Sequence, residues 1–359
     1  MSTPAHRCCR RCWPSLSPWR SVARPIRRVP TALAAAPEEA REQIAYGFDL
    51  RAQDVVFTSG GTEAANLAVR GLGDAELPVL MADIEHPAVR EAALRRGTCK
   101  WQIDDTGKAI IAGPAQAIGL ICLVHAQSEL GTLQDTEQAI ELARNCDVPV
   151  VIDAAQSLGR VPLQALIASG AVVALSPHKA GGLRGHGVLV GRGLESKLRP
   201  LMHGGGQEFG LRPGTQSPSL ASANALAIRL AIEQHAQRGS KMTHNRKAFL
   251  EALEAQECPA RVLTPLANSV ANTAMLCFEG VDGRNLLPAL DLAGVQASHG
   301  SACSSGSMTP PRVLTEIGLD DTRARACVRF SFDWRNRAEE CAHVGALVGA
   351  VIARLRKKN

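Results

Sequence analysis

Short apolar runs stand at 55–58, 78–82, 118–124, 148–152, 171–175 and 187–190 of the 359-residue chain, most of them ending in polar or glycine-rich residues. They read as strands buried on both faces. Between them, 38–45, 63–71, 87–96 and 135–145 carry helical patterning. Strands alternating with helices predict an α/β fold, a mostly parallel sheet with helices on both faces. A helical stretch at 216–238 is expected to bridge to a smaller α+β unit with a strand at 273–278, a helix at 283–293, a strand at 326–332 and a last helix at 337–356. The division expected is thus 38–238 for a large domain and 239–359 for a small one, and a chain of this length can bury two cores.

Three strand ends carry chemistry. The first run leads into Thr58-Ser59-Gly60-Gly61-Thr62-Glu63. Glycines let the backbone approach an anion, and a helix start offers free N–H groups; a plain turn is the alternative. The run at 148–152 delivers Asp153, with Gln156 one turn later. A carboxylate there can hold a pyridinium nitrogen, or simply cap a helix. The run at 171–175 leads into Ser176-Pro177-His178-Lys179. A lysine at a sheet rim loses hydration, its pKa falls, and its amine becomes a nucleophile for carbonyl compounds; a lysine in a surface turn is the alternative. Together they supply an anion site, a pyridinium partner and a Schiff-base lysine.

The chain has 40 Lys and Arg against 34 Asp and Glu, a formal charge of +6. Residues 1–37 hold seven arginines and no acid, so the remainder carries 33 bases against 34 acids. The body gives no electrostatic case for nucleic acid. No run of about eighteen apolar residues predicts a membrane helix. Residues 1–37 also hold six prolines and three cysteines without periodicity, and are expected to lie outside the ordered fold or to come from a shifted reading frame. Of the eleven cysteines, Cys99, Cys122, Cys146, Cys277 and Cys327 read as small core residues of a reducing cytoplasm, and Cys9 and Cys12 lack partners for zinc.

Beyond the three strand ends stand Glu85-His86, Gly204-Gly205-Gly206-Gln207-Glu208, Arg212-Pro213-Gly214-Thr215, Gly300-Ser301-Ala302-Cys303 and Arg329-Phe330-Ser331. With these motifs, over about 38–332, the chain resembles the class V aminotransferase-like enzymes of pyridoxal 5'-phosphate (PLP), and within them the cysteine desulfurases with a long cysteine loop. The resemblance implies a fold type I PLP enzyme and a homodimer that converts L-cysteine to L-alanine. It implies that Lys179 holds PLP, that Asp153 binds the ring nitrogen, and that Gln156 donates to the ring hydroxyl. Thr62, Ser176 and His178, with the backbone at Gly61, would hold the phosphate, and His86 would stack on the ring and help in proton transfer. Thr215 would reach the phosphate of the neighbouring subunit, Arg329 would bind the substrate carboxylate, and Cys303 would carry sulfur as a persulfide to an acceptor protein, an iron–sulfur scaffold or a tRNA-thiolation partner.

Departures accompany the likeness. Gln127-Ser128-Glu129 stands where the family commonly has Asn-Asn-Glu, which puts the short Ser128 at a cofactor- and substrate-contacting position. Asp333 replaces a usual glycine, and the family's opening strand is missing. A selenocysteine lyase, an aminotransferase and a catalytically impaired homologue are the competing readings; Cys303 speaks against an aminotransferase, which needs no loop thiol.

Overall fold

The computed structural model describes residues 31–300 and 309–357. Seven strands, β1 (Val55–Thr58), β2 (Val79–Ala82), β3 (Thr98–Trp101), β4 (Leu120–Val124), β5 (Val150–Asp153), β6 (Val172–Leu175) and β7 (Gly187–Val190), form one sheet in the order β1-β7-β6-β5-β4-β2-β3. Strands β3, β2, β4, β5 and β6 run parallel, and β7 is antiparallel to both its neighbours. Register pairs Val124 with Asp153 and Asp153 with Ala174, so the C-terminal ends of β4, β5 and β6 lie level at one edge.

Helices cover both faces, which is why these strands are continuously apolar. On one face lie α1 (Thr31–Gly47), α4 (Thr136–Asn145), α5 (Gln164–Ala168) and α7 (Pro218–Glu233), packing Ile44, Ile140, Ile167 and Ile228 against Leu123, Ile152 and Val173. On the other lie α2 (Gly61–Gly71), α3 (Pro87–Leu94) and α6 (Leu194–Lys197), packing Leu67, Val89 and Leu194 against Val56, Met81 and Val151.

A second, antiparallel sheet has the order β10-β9-β8, from β8 (Arg261–Val262), β9 (Thr273–Cys277) and β10 (Cys327–Ser331). Helices α8 (His235–Glu254), α9 (Gly283–Leu292) and α12 (Ala338–Arg356) bury Phe249, Leu286 and Val348 against Leu276, Val328 and Phe330. The short helices α10 (Arg312–Glu316) and α11 (Asp321–Arg325) help cover its other face, where Val313, Leu314 and Ala324 join the same core as Met275 and Cys327.

Three features differ from the sequence expectations. The stretch 216–238 is not one helix: α7 stops at Glu233, Gln234 leaves helical geometry at φ −107° and ψ 6°, and α8 restarts at His235. Strands β3 and β8 were not anticipated, because their residues are partly exposed and lack an apolar run. Among the described residues α1 already starts at Thr31, inside the segment 1–37 set apart by composition, and it tolerates Pro37 within it. Residues 1–30 lie outside the described residues.

Tertiary burial anchors α1. Arg41, 1 % exposed, donates to the carbonyl of Val55 at 2.6 Å and to both carboxylate oxygens of Glu208 at 2.7 Å. Glu208 also accepts the N–H of Phe57 at 2.7 Å. Glu208 and Phe209 both take left-handed backbone angles, φ 52° and 57°, a conformation that costs a non-glycine residue energy unless its surroundings hold it. Among the described cysteines, Cys122, Cys277, Cys327 and Cys341 are buried and Cys99, Cys146 and Cys258 half-buried, all as free thiols.

Candidate active site

The C-terminal edge of the large sheet opens into a cavity of about 290 Å³, at the lower end of ligand-site volumes. Ten residues singled out in the sequence line it: Gly61, Thr62, His86, Ser128, Asp153, Gln156, Ser176, His178, Lys179 and Arg329. Thr215 lies on an exposed loop and is not among the lining residues. Cys303 lies outside the described residues; Gly300, just before its loop, is on the cavity wall.

Each element places its side chain for a local reason. β1 ends at Thr58, whose hydroxyl donates to the Gly60 carbonyl at 3.0 Å, and α2 begins at Gly61. A Cβ on Gly61 would stand 2.1 Å from Ser176 Oγ, so any larger residue would turn the Ser176 hydroxyl away from this helix start. Glu63 accepts the N–H of Ser59 at 2.6 Å and pairs with Arg212 at 2.7 Å, bracing the turn from behind.

His86 caps α3, its Nδ1 accepting the Ala88 N–H at 3.1 Å, which leaves Nε2 as the other ring nitrogen. Burial lowers its pKa, while Asp153 pulls the other way. The preceding Glu85 is buried: Oε1 accepts the Val124 N–H at 2.7 Å and Oε2 has no partner. Burial, reinforced by Asp153, lifts its pKa to about 8, so it is a neutral acid at pH 7. Asp153 closes β5 with Oδ1 accepting the Ala155 N–H at 2.9 Å, which leaves Oδ2 free for a ligand.

Lys179 sits in a tight 3-10 turn, Pro177–Ala180, closed by Gly181 at φ 102°. Burial lowers its pKa against the pull of Asp153, which favours the uncharged amine that a Schiff base requires. From the second sheet, Arg329 bridges its backbone to Ser298 and donates Nη1 to the Ser128 carbonyl at 2.7 Å. Its Nε is buried without a partner, which costs free energy unless an acceptor arrives. A ligand carboxylate at the cavity would supply one.

Two residues of the site were not singled out in the sequence. Glu129 is buried on the cavity wall, accepting the Ser128 hydroxyl at 2.7 Å and the Gln127 amide. The Ser128 hydroxyl is therefore turned onto its neighbour. Arg160 lies behind the wall, bonded to Gln156 and Lys179. Glu129 stood in the sequence only as the last member of Gln127-Ser128-Glu129, and Arg160 carried no signal beyond being a charged residue beside a motif.

A family model described as Aminotransferase class-V matches residues 19–344. A cysteine desulfurase named IscS from Dictyoglomus turgidum is 30 % identical over 338 residues, covering 89 % of this chain and 84 % of that protein. Two solved structures superpose closely. A NifS-like protein has a TM-score of 0.80 at 26 % identity, over 90 % of this chain and 89 % of that one. A structure titled "SspA in complex with cysteine" has a TM-score of 0.70 at 28 % identity, over 88 % and 93 %. The chain belongs to the aminotransferase class-V family, a family of PLP-dependent enzymes. Within it, the chain is of the cysteine desulfurase type. Its residues fit that cofactor: a glycine helix start close to the Ser176 hydroxyl for a phosphate, a carboxylate oxygen left open at β5, and a desolvated lysine at β6.

Proposed function

We propose that this cavity removes sulfur from L-cysteine with PLP as cofactor, releasing L-alanine and leaving the sulfur on Cys303 as a persulfide. The observation that carries the reading is the placement of Lys179, Asp153 and Gly61 around one cavity whose far wall offers the partnerless Nε of Arg329. PLP, when bound, supplies the sink for electrons drawn from the substrate carbon. Lys179 holds the cofactor and then moves protons as a general base. Asp153 faces the ring nitrogen and Gln156 the ring hydroxyl. Thr62, Ser176, His178 and the Gly61 backbone hold the phosphate, completed by Thr215 of the partner subunit in a homodimer. His86 lies against the ring, and Arg329 binds the substrate carboxylate. The Cys303 thiolate takes the sulfur as the carbon–sulfur bond breaks.

The acceptor is a protein that passes sulfur to iron–sulfur assembly or thiolation, and the enzyme works in the cytoplasm. The IscS name of a 30 % identical relative supports this placement. No helix among the described residues is long and apolar enough to cross a membrane. The two sheets, and a core that belongs to the second one alone on one of its faces, support a large and a small domain meeting near the α7–α8 break, while Met275 and Cys327 on its other face share the large sheet's core. The test is incubation of purified protein with PLP, L-cysteine and an added dithiol, which reduces the Cys303 persulfide and frees its sulfur as sulfide, with alanine and sulfide measured together. Equal yields of both are expected; alanine without sulfide, or neither, overturns the assignment.

A further inference from the structure

Gln156 and Lys179 stand on different turns, one after β5 and one after β6, and one guanidinium ties them together. Arg160 Nη1 donates to the backbone carbonyl of Gln156 at 2.6 Å and to its amide Oε1 at 3.2 Å. Its Nη2 donates to the carbonyl of Lys179 at 3.1 Å. None of these acceptors is a carboxylate, and the acidic group that acts on the guanidinium, Asp333, does so without a hydrogen bond to it. Burial lowers its pKa to about 10, so Arg160 is still a cation at neutral pH.

Two effects follow. An amide that accepts through Oε1 has its Nε2 donors turned elsewhere, and Gln156 lines the cavity. A cation behind the lysine turn also disfavours a second positive charge in front of it. The groups that act on Lys179 are Asp153 and Glu129, which favour its ammonium, and Arg160 and Arg329, which oppose it. His86 and His178 in turn feel the lysine.

We propose that Arg160 is a positioning residue of the PLP site: its guanidinium orients the Gln156 amide with Nε2 toward the cavity and anchors the lysine turn, while its charge keeps the Lys179 nitrogen from protonating. The proposal rests on the reading that Gln156 and Lys179 meet PLP, and it assigns a task to a side chain that does not line the cavity.

The experiment uses the holo-protein and its Arg160→Met and Arg160→Lys variants. The first readout is the pH midpoint of the absorbance change of bound PLP. Arg160→Met should move it upward by roughly one unit, and Arg160→Lys should leave it near the wild-type value. The second is PLP affinity in a double-mutant cycle. Arg160→Met should weaken PLP about tenfold alone but less than about twofold on a Gln156→Ala background. If Arg160→Met does not fold, Arg160→Lys still decides, since it should lose affinity with an unmoved midpoint. A midpoint that stays put in Arg160→Met, one that moves by a full unit in Arg160→Lys, or the same tenfold loss with and without Gln156 overturns the proposal. Borohydride reduction of the wild type followed by peptide mapping keeps the two readings apart. A label on a lysine other than Lys179 sinks the site assignment itself, whereas a label on Lys179 with unaltered Arg160 variants sinks only this inference.

Discussion

The lysine turn and the arginine strand face one cavity from sheets built in opposite ways. The lysine comes from the rim of a seven-stranded, largely parallel sheet buried on both faces, where β4, β5 and β6 end level and are locked by their neighbours. Arg329 comes from an outer strand of a three-stranded antiparallel sheet, which among the described residues is met on its free side by a bridge to Ser298 and by the His299 ring at the Cys327 carbonyl. The side proposed to hold the cofactor thus rests on many short strands fixed in register. The side proposed to bind substrate rests on one strand and its bond to the Ser128 carbonyl. Loss of a group on the first side should cost cofactor or chemistry; loss on the second should cost mainly substrate affinity.

The largest effect should come from Lys179→Ala. Covalent PLP is expected to vanish, and with it general-base catalysis worth on the order of 10²–10⁴-fold. Borohydride trapping checks the first and single-turnover alanine formation the second. Cys303→Ser should abolish sulfide release while PLP absorbance and cysteine binding persist, because an oxygen nucleophile cannot accept the sulfur; unchanged sulfide in that variant removes Cys303 from the reaction. Asp153→Asn should lower kcat by roughly 100-fold with PLP occupancy nearly full, since the ring nitrogen loses its ionic partner while the other anchors remain. If occupancy falls as far as rate, Asp153 is a structural cap.

Arg329→Gln sharpens the contrast from the other sheet. Losing charged hydrogen bonds to a carboxylate costs about 1.5–3 kcal/mol, so KM for L-cysteine should rise roughly 10- to 100-fold with PLP binding intact. A PLP defect of equal size would show that the two sides are not separable. The smallest effect concerns acid stability. His186 is buried against Phe57, neither ring nitrogen has a partner, and its pKa is held down at about 4 by burial, with Arg212 and Arg41 adding to it. Between its usual 6.5 and about 4, the unfolded chain binds this proton and the folded one does not. Stability should therefore be full above pH 6.5 and decline as pH falls through that window. His186→Phe should shrink the drop in melting temperature between pH 7 and 5 by roughly 2 °C; an undiminished drop assigns the sensitivity elsewhere.

The same contrast explains what could be read in the sequence. Strands buried on both faces appear as unbroken apolar runs, so the ends carrying Gly61, Asp153 and Lys179 stood out. The edge strand β3 did not, since Thr98, Cys99 and Lys100 are only partly covered. Helix α8 was misjudged because three of its buried positions are Arg238, Asn245 and Arg246. Their partners are far away in sequence: Asn245 donates to the carbonyls of Asp333 and Asn336, and Arg246 to those of Val270 and Thr273. Glu129 and Arg160 share that difficulty, because a buried charge looks like a surface charge until its acceptors are brought in by the fold.

The clasp between Arg41 and Glu208 has a consequence for the order in which the enzyme is made. Glu208 and Phe209 are held in unfavourable backbone angles, and the carboxylate that fixes them is gripped by α1 and by the Phe57 N–H. The loop that follows carries Thr215. Until α1 docks, Glu208 lacks its two hydrogen bonds from Arg41 and keeps only the more distant charge of Arg212 and the Phe57 N–H, and the loop has reason to relax. Pairing of the proposed homodimer should then wait for the docking of α1, and Arg41→Met should slow the appearance of dimer in a refolding time course more than it slows the recovery of helical signal. Equal slowing of both would mean that the clasp merely stabilises the finished fold.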